Sequence, residues 1–146
     1  MNSLDETSKL LSYDRIKEFN ATNILNDYRR WPDLAKEALE KDVRVVERKE
    51  FRKIILCGMG GSAAACDAIR DCFIDLDTVV VKDYHLPSWV KENDLIITVS
   101  YSGNTEETLC CYMEAFRKGL PLITVSSGGI LEKIAEKNNV PHNSVV

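Results

Sequence analysis

From Lys53 onward, short apolar runs alternate with helical segments, and this rhythm restricts the fold more than any other feature of the chain. "KIILC" leads into "GMGGS" and the helical "AAACDAIRDCF"; "TVVVK" leads into the loop "DYHLPSWVKEND". "LIITVS" leads into "YSGNT" and the helical "EETLCCYMEAFRKG"; "LPLITVS" leads into "SGG" and "ILEKIAEKNN", and "VPHNSVV" closes the sequence. Strands that are apolar at nearly every position are covered on both faces. Their alternation with helices predicts a parallel sheet between two helical layers, an α/β fold.

The first forty residues follow a different pattern. Ile24, Leu25, Tyr28, Trp31, Leu34, Ala35, Ala38 and Leu39 recur at three- and four-residue steps, the spacing of one apolar helix face. Pro32 either opens a second helix at its first position or kinks a single one. The expected organisation is an N-terminal helical segment over 1–42 and an α/β domain over 43–146. "DVRVVERKEF" mixes β-branched and charged residues and suits no single element.

Composition removes several function classes. The 146 residues are 45% hydrophobic and 29% charged, enough for one domain with a sizeable core. The longest apolar runs fall far short of the ~20 residues that cross a bilayer, and "MNSLDETSK" lacks the basic and apolar regions of a signal peptide. No membrane association and a cytoplasmic location are expected. A net charge of −4 gives no basic footprint for nucleic acid. Five cysteines, without C-x-x-C or Cys/His ligand spacing, read as reduced and mostly packed thiols, with no metal site.

In open parallel sheets, ligands bind beyond the carboxyl ends of the strands, where strand order reverses. In a flavodoxin-like order the first and third strands flank that point, so "GMGGS" and "SYSGNT" would face each other across one crevice. Period-two alternation places Ser100 and Ser102 on one side of the chain, with Tyr101 on the other. Gly103 permits a close turn. Thr105 lies beside the first helical residue, where unpaired amides favour an anion, and Ser62 does likewise from the opposite loop. Met59 and Tyr101 read as packing residues. His85 and His142 have no partner at catalytic spacing and read as surface or loop residues. "SSGG", Ser126 to Gly129, suits either the sugar side of the crevice or a helix cap. Gly58, Gly60 and Ala63 also satisfy the dinucleotide fingerprint G-x-G-x-x-A, with Asp83 available for a ribose. The hydroxyl-rich turn after the third strand argues against that alternative, because two such turns suit one phosphate.

The ordered set "GMGGSA", "D-x-I-R-D", "VKDY-x-L", "SYSGNT-x-ETL" and "ITVSSGG-x-L" resembles the N-terminal sugar isomerase (SIS) domain of bifunctional phosphoglucose/phosphomannose isomerases, particularly archaeal ones. The resemblance runs from about Lys53 to Lys137 and, more loosely, over "YRRWPDLAKEAL". It implies a three-layer, flavodoxin-like domain with a five-stranded parallel sheet. It also implies interconversion of glucose 6-phosphate or mannose 6-phosphate with fructose 6-phosphate, without cofactor or metal. By the same resemblance Gly61, Ser62, Ser100, Ser102 and Thr105 hold the substrate phosphate. Gly60, Gly103 and Asn104 complete the candidate phosphate-binding set.

The resemblance also implies groups that this sequence lacks: a Pro-Arg segment after the last strand and a second SIS domain carrying the catalytic glutamate, histidine and lysine. No catalytic residue is therefore expected here. The chain, which stops at "VPHNSVV" inside the fifth strand, reads as the phosphate-anchoring half of an isomerase, inactive alone. A stand-alone sugar-phosphate sensor is the alternative, and a dinucleotide-binding domain a more distant one. Hexose 6-phosphate is the expected partner. Self-association or a missing second SIS domain would cover the apolar surface left exposed. If Asn104 is the N-cap of its helix, Glu107 falls where a capping box turns its carboxylate back to the Asn104 amide.

Overall fold

The computed structural model describes residues 12, 15, 17, 23–47 and 50–145. The chain divides into two compact units, one ending at Asp42 and one starting at Val43. In the first, helix α1 (Ile24–Leu39) is one continuous helix with Pro32 inside it, so the proline starts no second helix. Tyr28 and Trp31 pack edge to face on it, ring centroids 4.8 Å apart. The remaining helical reading before Asn23 lies outside the described residues, apart from three isolated positions.

The second unit contains β1 (Ile54–Cys57), α2 (Gly60–Cys72), β2 (Thr78–Val81), β3 (Leu95–Val99), α3 (Glu106–Arg117), β4 (Leu122–Ser126), α4 (Gly129–Lys137) and β5 (His142–Ser144). The five strands form one sheet in the order β2-β1-β3-β4-β5, and every pairing is parallel. Ile55 stands between Val79 and Ile96, Ile97 beside Ile123, and Thr124 beside His142. The α/β class and the five-stranded parallel sheet expected from the sequence are thus present. Because the chain moves outward in one direction from β1 and in the other from β3, right-handed crossovers place α2 on one face and α3 and α4 on the other.

The main core lies under α3 and α4. Ile55, Cys57, Ile96 and Leu122 from the sheet meet Cys111, Tyr112 and Ala115 of α3 and Leu131 and Ala135 of α4, all buried. Tyr112 is fully buried, and its hydroxyl donates to the Ile134 carbonyl at 3.1 Å and accepts from Asn138 Nδ2 at 3.0 Å. On the other face, Ala63 and Cys66 of α2 are the buried contacts. The loop between β2 and β3 packs on α3, where the Leu86 amide donates to Glu114 Oε2 at 3.0 Å.

Two local readings change, and a third segment is as irregular as expected. Helix α2 begins at Gly60 rather than in the alanine run, so the glycines form its first turn. Residues 43–46 carry no regular element, but the Arg44 amide donates to Asn143 Oδ1 at 2.7 Å and Asn143 Nδ2 returns a bond to the Arg44 carbonyl. His85 is exposed as expected, but His142 is not a surface residue: it is 7% exposed, with Nδ1 2.8 Å from Thr124 Oγ1. Its place in β5, opposite Thr124 and beside α4, puts it in the interior; nothing in the local sequence announces that pairing.

Candidate functional site

The carboxyl ends of β1 and β3, neighbours in the sheet, open onto one cavity of about 590 Å³. Gly61 and Ser62 line it from the start of α2, and Ser102 and Thr105 from the turn before α3. The two loops also meet directly, the Tyr101 amide donating to Ser62 Oγ at 3.2 Å. This is the crevice expected from strand order.

Backbone accounting distinguishes the helix starts around the cavity. The first turn of a helix leaves amides without intrahelical acceptors. In α2 those amides belong to Gly60, Gly61 and Ser62; in α3, whose N-cap is Thr105, they belong to Glu106, Glu107 and Thr108. Neither helix has a side-chain cap from its own N-cap residue. In α4 the situation differs: the Ile130 amide donates to Asn104 Oδ1 at 3.1 Å and the Leu131 amide to the Gly103 carbonyl at 2.9 Å. The "SSGG" segment therefore does not line the cavity. It braces the neighbouring turn, with the Ser127 amide and hydroxyl both donating to the Tyr101 carbonyl, at 2.9 and 2.6 Å.

The hydroxyls are set as donors. Ser62 Oγ accepts from the Tyr101 amide and Ser102 Oγ accepts from the Asn104 amide at 3.2 Å, which leaves each hydroxyl proton free. Ser100 is buried, 1% exposed, and does not line the cavity. Its Oγ accepts from the Gly103 amide at 3.1 Å and lies 2.9 Å from Thr105 Oγ1. With Ser100 donating in that pair, the Thr105 proton also faces outward, and each bond in the chain polarises the next.

Of the candidate residues, the cavity thus gathers Gly61, Ser62, Ser102 and Thr105. Gly60, Ser100, Gly103 and Asn104 are not part of its lining. Gly60 takes a positive φ of 53° that allows the tight entry into α2. Gly103 has φ 67°, and a Cβ there would lie 1.8 Å from the Gly128 carbonyl oxygen, so only glycine fits.

Two sequence readings are corrected. Asn104 is not the N-cap of α3, and Glu107 forms no capping box, since the Asn104 amide already bonds Ser102 Oγ. The Glu107 carboxylate lies instead beside Tyr84, whose hydroxyl it holds above its ordinary pKa, with partial burial and Glu106 adding to the effect. Met59 and Tyr101 are not simply packing residues. Both line the cavity, and Tyr101 is 64% exposed. Strand alternation mispredicts Tyr101 because the chain leaves β3 at Val99 and turns, ending the period-two rule. Val99, Val125, Val145 and Ala65 complete an apolar wall. Among the described residues no lysine, arginine, histidine or carboxylate lines this cavity, and Tyr101 is the one titratable side chain in its lining.

No family model matches the chain. A bifunctional phosphoglucose/phosphomannose isomerase of Caldicellulosiruptor bescii is 38% identical over 113 residues, which cover 73% of this chain and 33% of the relative. The chain is related to these isomerases. A D-glucosamine-6-phosphate 4-epimerase of Sulfolobus acidocaldarius is 32% identical over 117 residues, covering 80% of this chain and 37% of that protein. The matched region thus spans about a third of the length of these relatives. Among solved structures, the sugar isomerase domain of an RpiR transcription factor from Sphaerobacter thermophilus superimposes with a TM-score of 0.57 at 19% identity, covering 84% of this chain and 72% of that one. The fold is therefore that of a sugar isomerase domain.

Proposed function

We propose that this chain holds the phosphate of a hexose 6-phosphate for an isomerase that interconverts glucose 6-phosphate or mannose 6-phosphate with fructose 6-phosphate, and that it does not catalyse the reaction alone. The observation that carries this reading is the convergence of two open helix amino ends and three donor hydroxyls, those of Ser62, Ser102 and Thr105, on one cavity. A hydrogen bond to a charged group contributes ~1.5–3 kcal/mol, and a helix end ~0.3–1 kcal/mol. Association costs roughly 4–15 kcal/mol in lost rigid-body freedom, so sub-millimolar affinity is expected without any lysine or arginine. The relationship to the bifunctional isomerases supplies the substrate class.

Proton transfer between C1 and C2 of the sugar requires a base within hydrogen-bond reach. Among the described residues the cavity lining offers none, its only titratable side chain there being the Tyr101 phenol. The base then comes from elsewhere in the complete isomerase. A second reading is a sugar-phosphate sensor, since a binding cavity without an acid or base suits regulation equally well, and a transcription factor domain shares the fold.

Calorimetric titration with fructose 6-phosphate, inorganic phosphate and NAD, alongside a coupled isomerase assay, tests these readings. Binding of both phosphate compounds with no turnover is expected. Robust turnover by this chain alone would sink the claim of inactivity, and binding of NAD in place of the sugar phosphate would favour the dinucleotide fingerprint. A second SIS domain encoded after Val146 excludes the stand-alone sensor.

A further inference from the structure

Asn104 is exposed, yet both ends of its side-chain amide are engaged within the protein. Nδ2 donates to the Ser102 carbonyl at 3.0 Å, and Oδ1 accepts from the Ile130 amide in the first turn of α4 at 3.1 Å. The N-cap of α4 is Gly128, which has no side chain to offer, so Asn104 caps a helix twenty-six residues ahead of it. Beside this bridge the backbones of the two turns interlock. A Cβ on Gly129 would lie 2.4 Å from the Ser102 carbonyl oxygen and 3.0 Å from Asn104 Oδ1, and the Gly103 carbonyl accepts from the Leu131 amide. Asn104 does not line the cavity, whereas Ser102 and Thr105 on either side of the Gly103–Asn104 pair do.

We propose that Asn104 is a positioning residue: by bridging the Ser102 carbonyl to the Ile130 amide it clamps the Ser102–Thr105 turn onto α4, holding the donor hydroxyls on the phosphate without touching the ligand. This inference rests on the phosphate-site reading above. It departs from the sequence-based assignment, which placed Asn104 among the phosphate-binding residues themselves. It also gives the "SSGG" turn a role, as the surface against which the anion-binding turn is set.

The test compares wild-type, Asn104→Ala and Asn104→Asp proteins, using inorganic phosphate and fructose 6-phosphate as separate probes and amide hydrogen exchange in their absence. In Asn104→Ala both probes weaken by the same factor, roughly fivefold to tenfold, as loss of one ordering hydrogen bond implies. The Ile130 amide exchanges faster in Asn104→Ala and regains protection in Asn104→Asp, which keeps an acceptor oxygen. A loss confined to fructose 6-phosphate means that Asn104 touches the sugar, and overturns the proposal. Faster Ile130 exchange with both affinities unchanged confines Asn104 to capping α4, and overturns it too. Wild-type protein that binds neither probe overturns the phosphate-site reading itself, and this inference with it.

Discussion

Ser100 and Ser102 are two residues apart and read alike in the sequence, but the structure gives them different work. Ser100 is buried and joins the Gly103 amide to Thr105, whereas Ser102 lines the cavity. Removing a buried hydroxyl that satisfies other groups costs ~1–3 kcal/mol. Ser100→Ala is therefore expected to lower the melting temperature and weaken sugar-phosphate binding together. Ser102→Ala should weaken binding with little change in stability, and parallel behaviour of the two variants would show the distinction to be wrong. Gly103→Ala adds a Cβ 1.8 Å from the Gly128 oxygen at a positive φ, so the turn cannot keep its place. Its expected outcome is loss of binding with marked destabilisation, read by calorimetry and thermal melting. The hydroxyls and glycines of this turn were legible as a cluster at one cavity because few other pressures gather them after a strand. Which hydroxyl faces the cavity was not, since that depends on partners as distant as Ser62 and Gly128.

Helix α3 is tied to α4 and to the long β2–β3 loop by polar bonds that no periodicity reveals. Tyr112 presents an apolar ring to the core while its hydroxyl bridges Ile134 and Asn138. Tyr112→Phe leaves the Asn138 side-chain amide without this acceptor, although the Ile134 carbonyl keeps the Asn138 backbone amide, and should cost ~1–3 kcal/mol in denaturant unfolding without changing ligand affinity. Glu114 ties the loop to α3. Burial pushes its carboxyl up, but Lys118 Nζ at 2.6 Å and the Leu86 amide outweigh this and hold it below the usual carboxylate range. A carboxyl with a lowered folded pKa contributes stability that is present above its unfolded value, near about 4.3, and is lost as pH falls through the folded one. Glu114→Gln should thus be less stable than wild type at neutral pH, and the two unfolding curves should converge in acid. A gap that persists or widens in acid contradicts the assignment. At this scale the strands and helices themselves were readable from apolar runs, turn glycines and spacing, with boundaries moved by a few residues, as where α2 begins at Gly60.

The whole molecule divides its five free thiols by position: Cys57, Cys66 and Cys111 are buried, Cys72 and Cys110 exposed. The Cys111 thiol beside it, together with burial, pushes the Cys57 thiol up and keeps it protonated. A thiol reagent applied to native protein is expected to modify two cysteines, Cys72 and Cys110, and all five once the chain is unfolded. Fast reaction at Cys57 or Cys66 would mean that the sheet and its helices do not close as described. Among the described residues no helix is long and apolar enough to cross a membrane. The sequence by itself determined the parallel sheet, because strands apolar on both faces can be buried only between helical layers, and it singled out the two turns that meet at the cavity, because their hydroxyls and glycines are local. Only the tertiary structure decided that His142 is interior, that α4 spends its first-turn amides on the neighbouring turn, and that Tyr101 faces the cavity. Those outcomes depend on strand order and on contacts between segments tens of residues apart, where a backbone amide can be satisfied once and a side chain can occupy only one face.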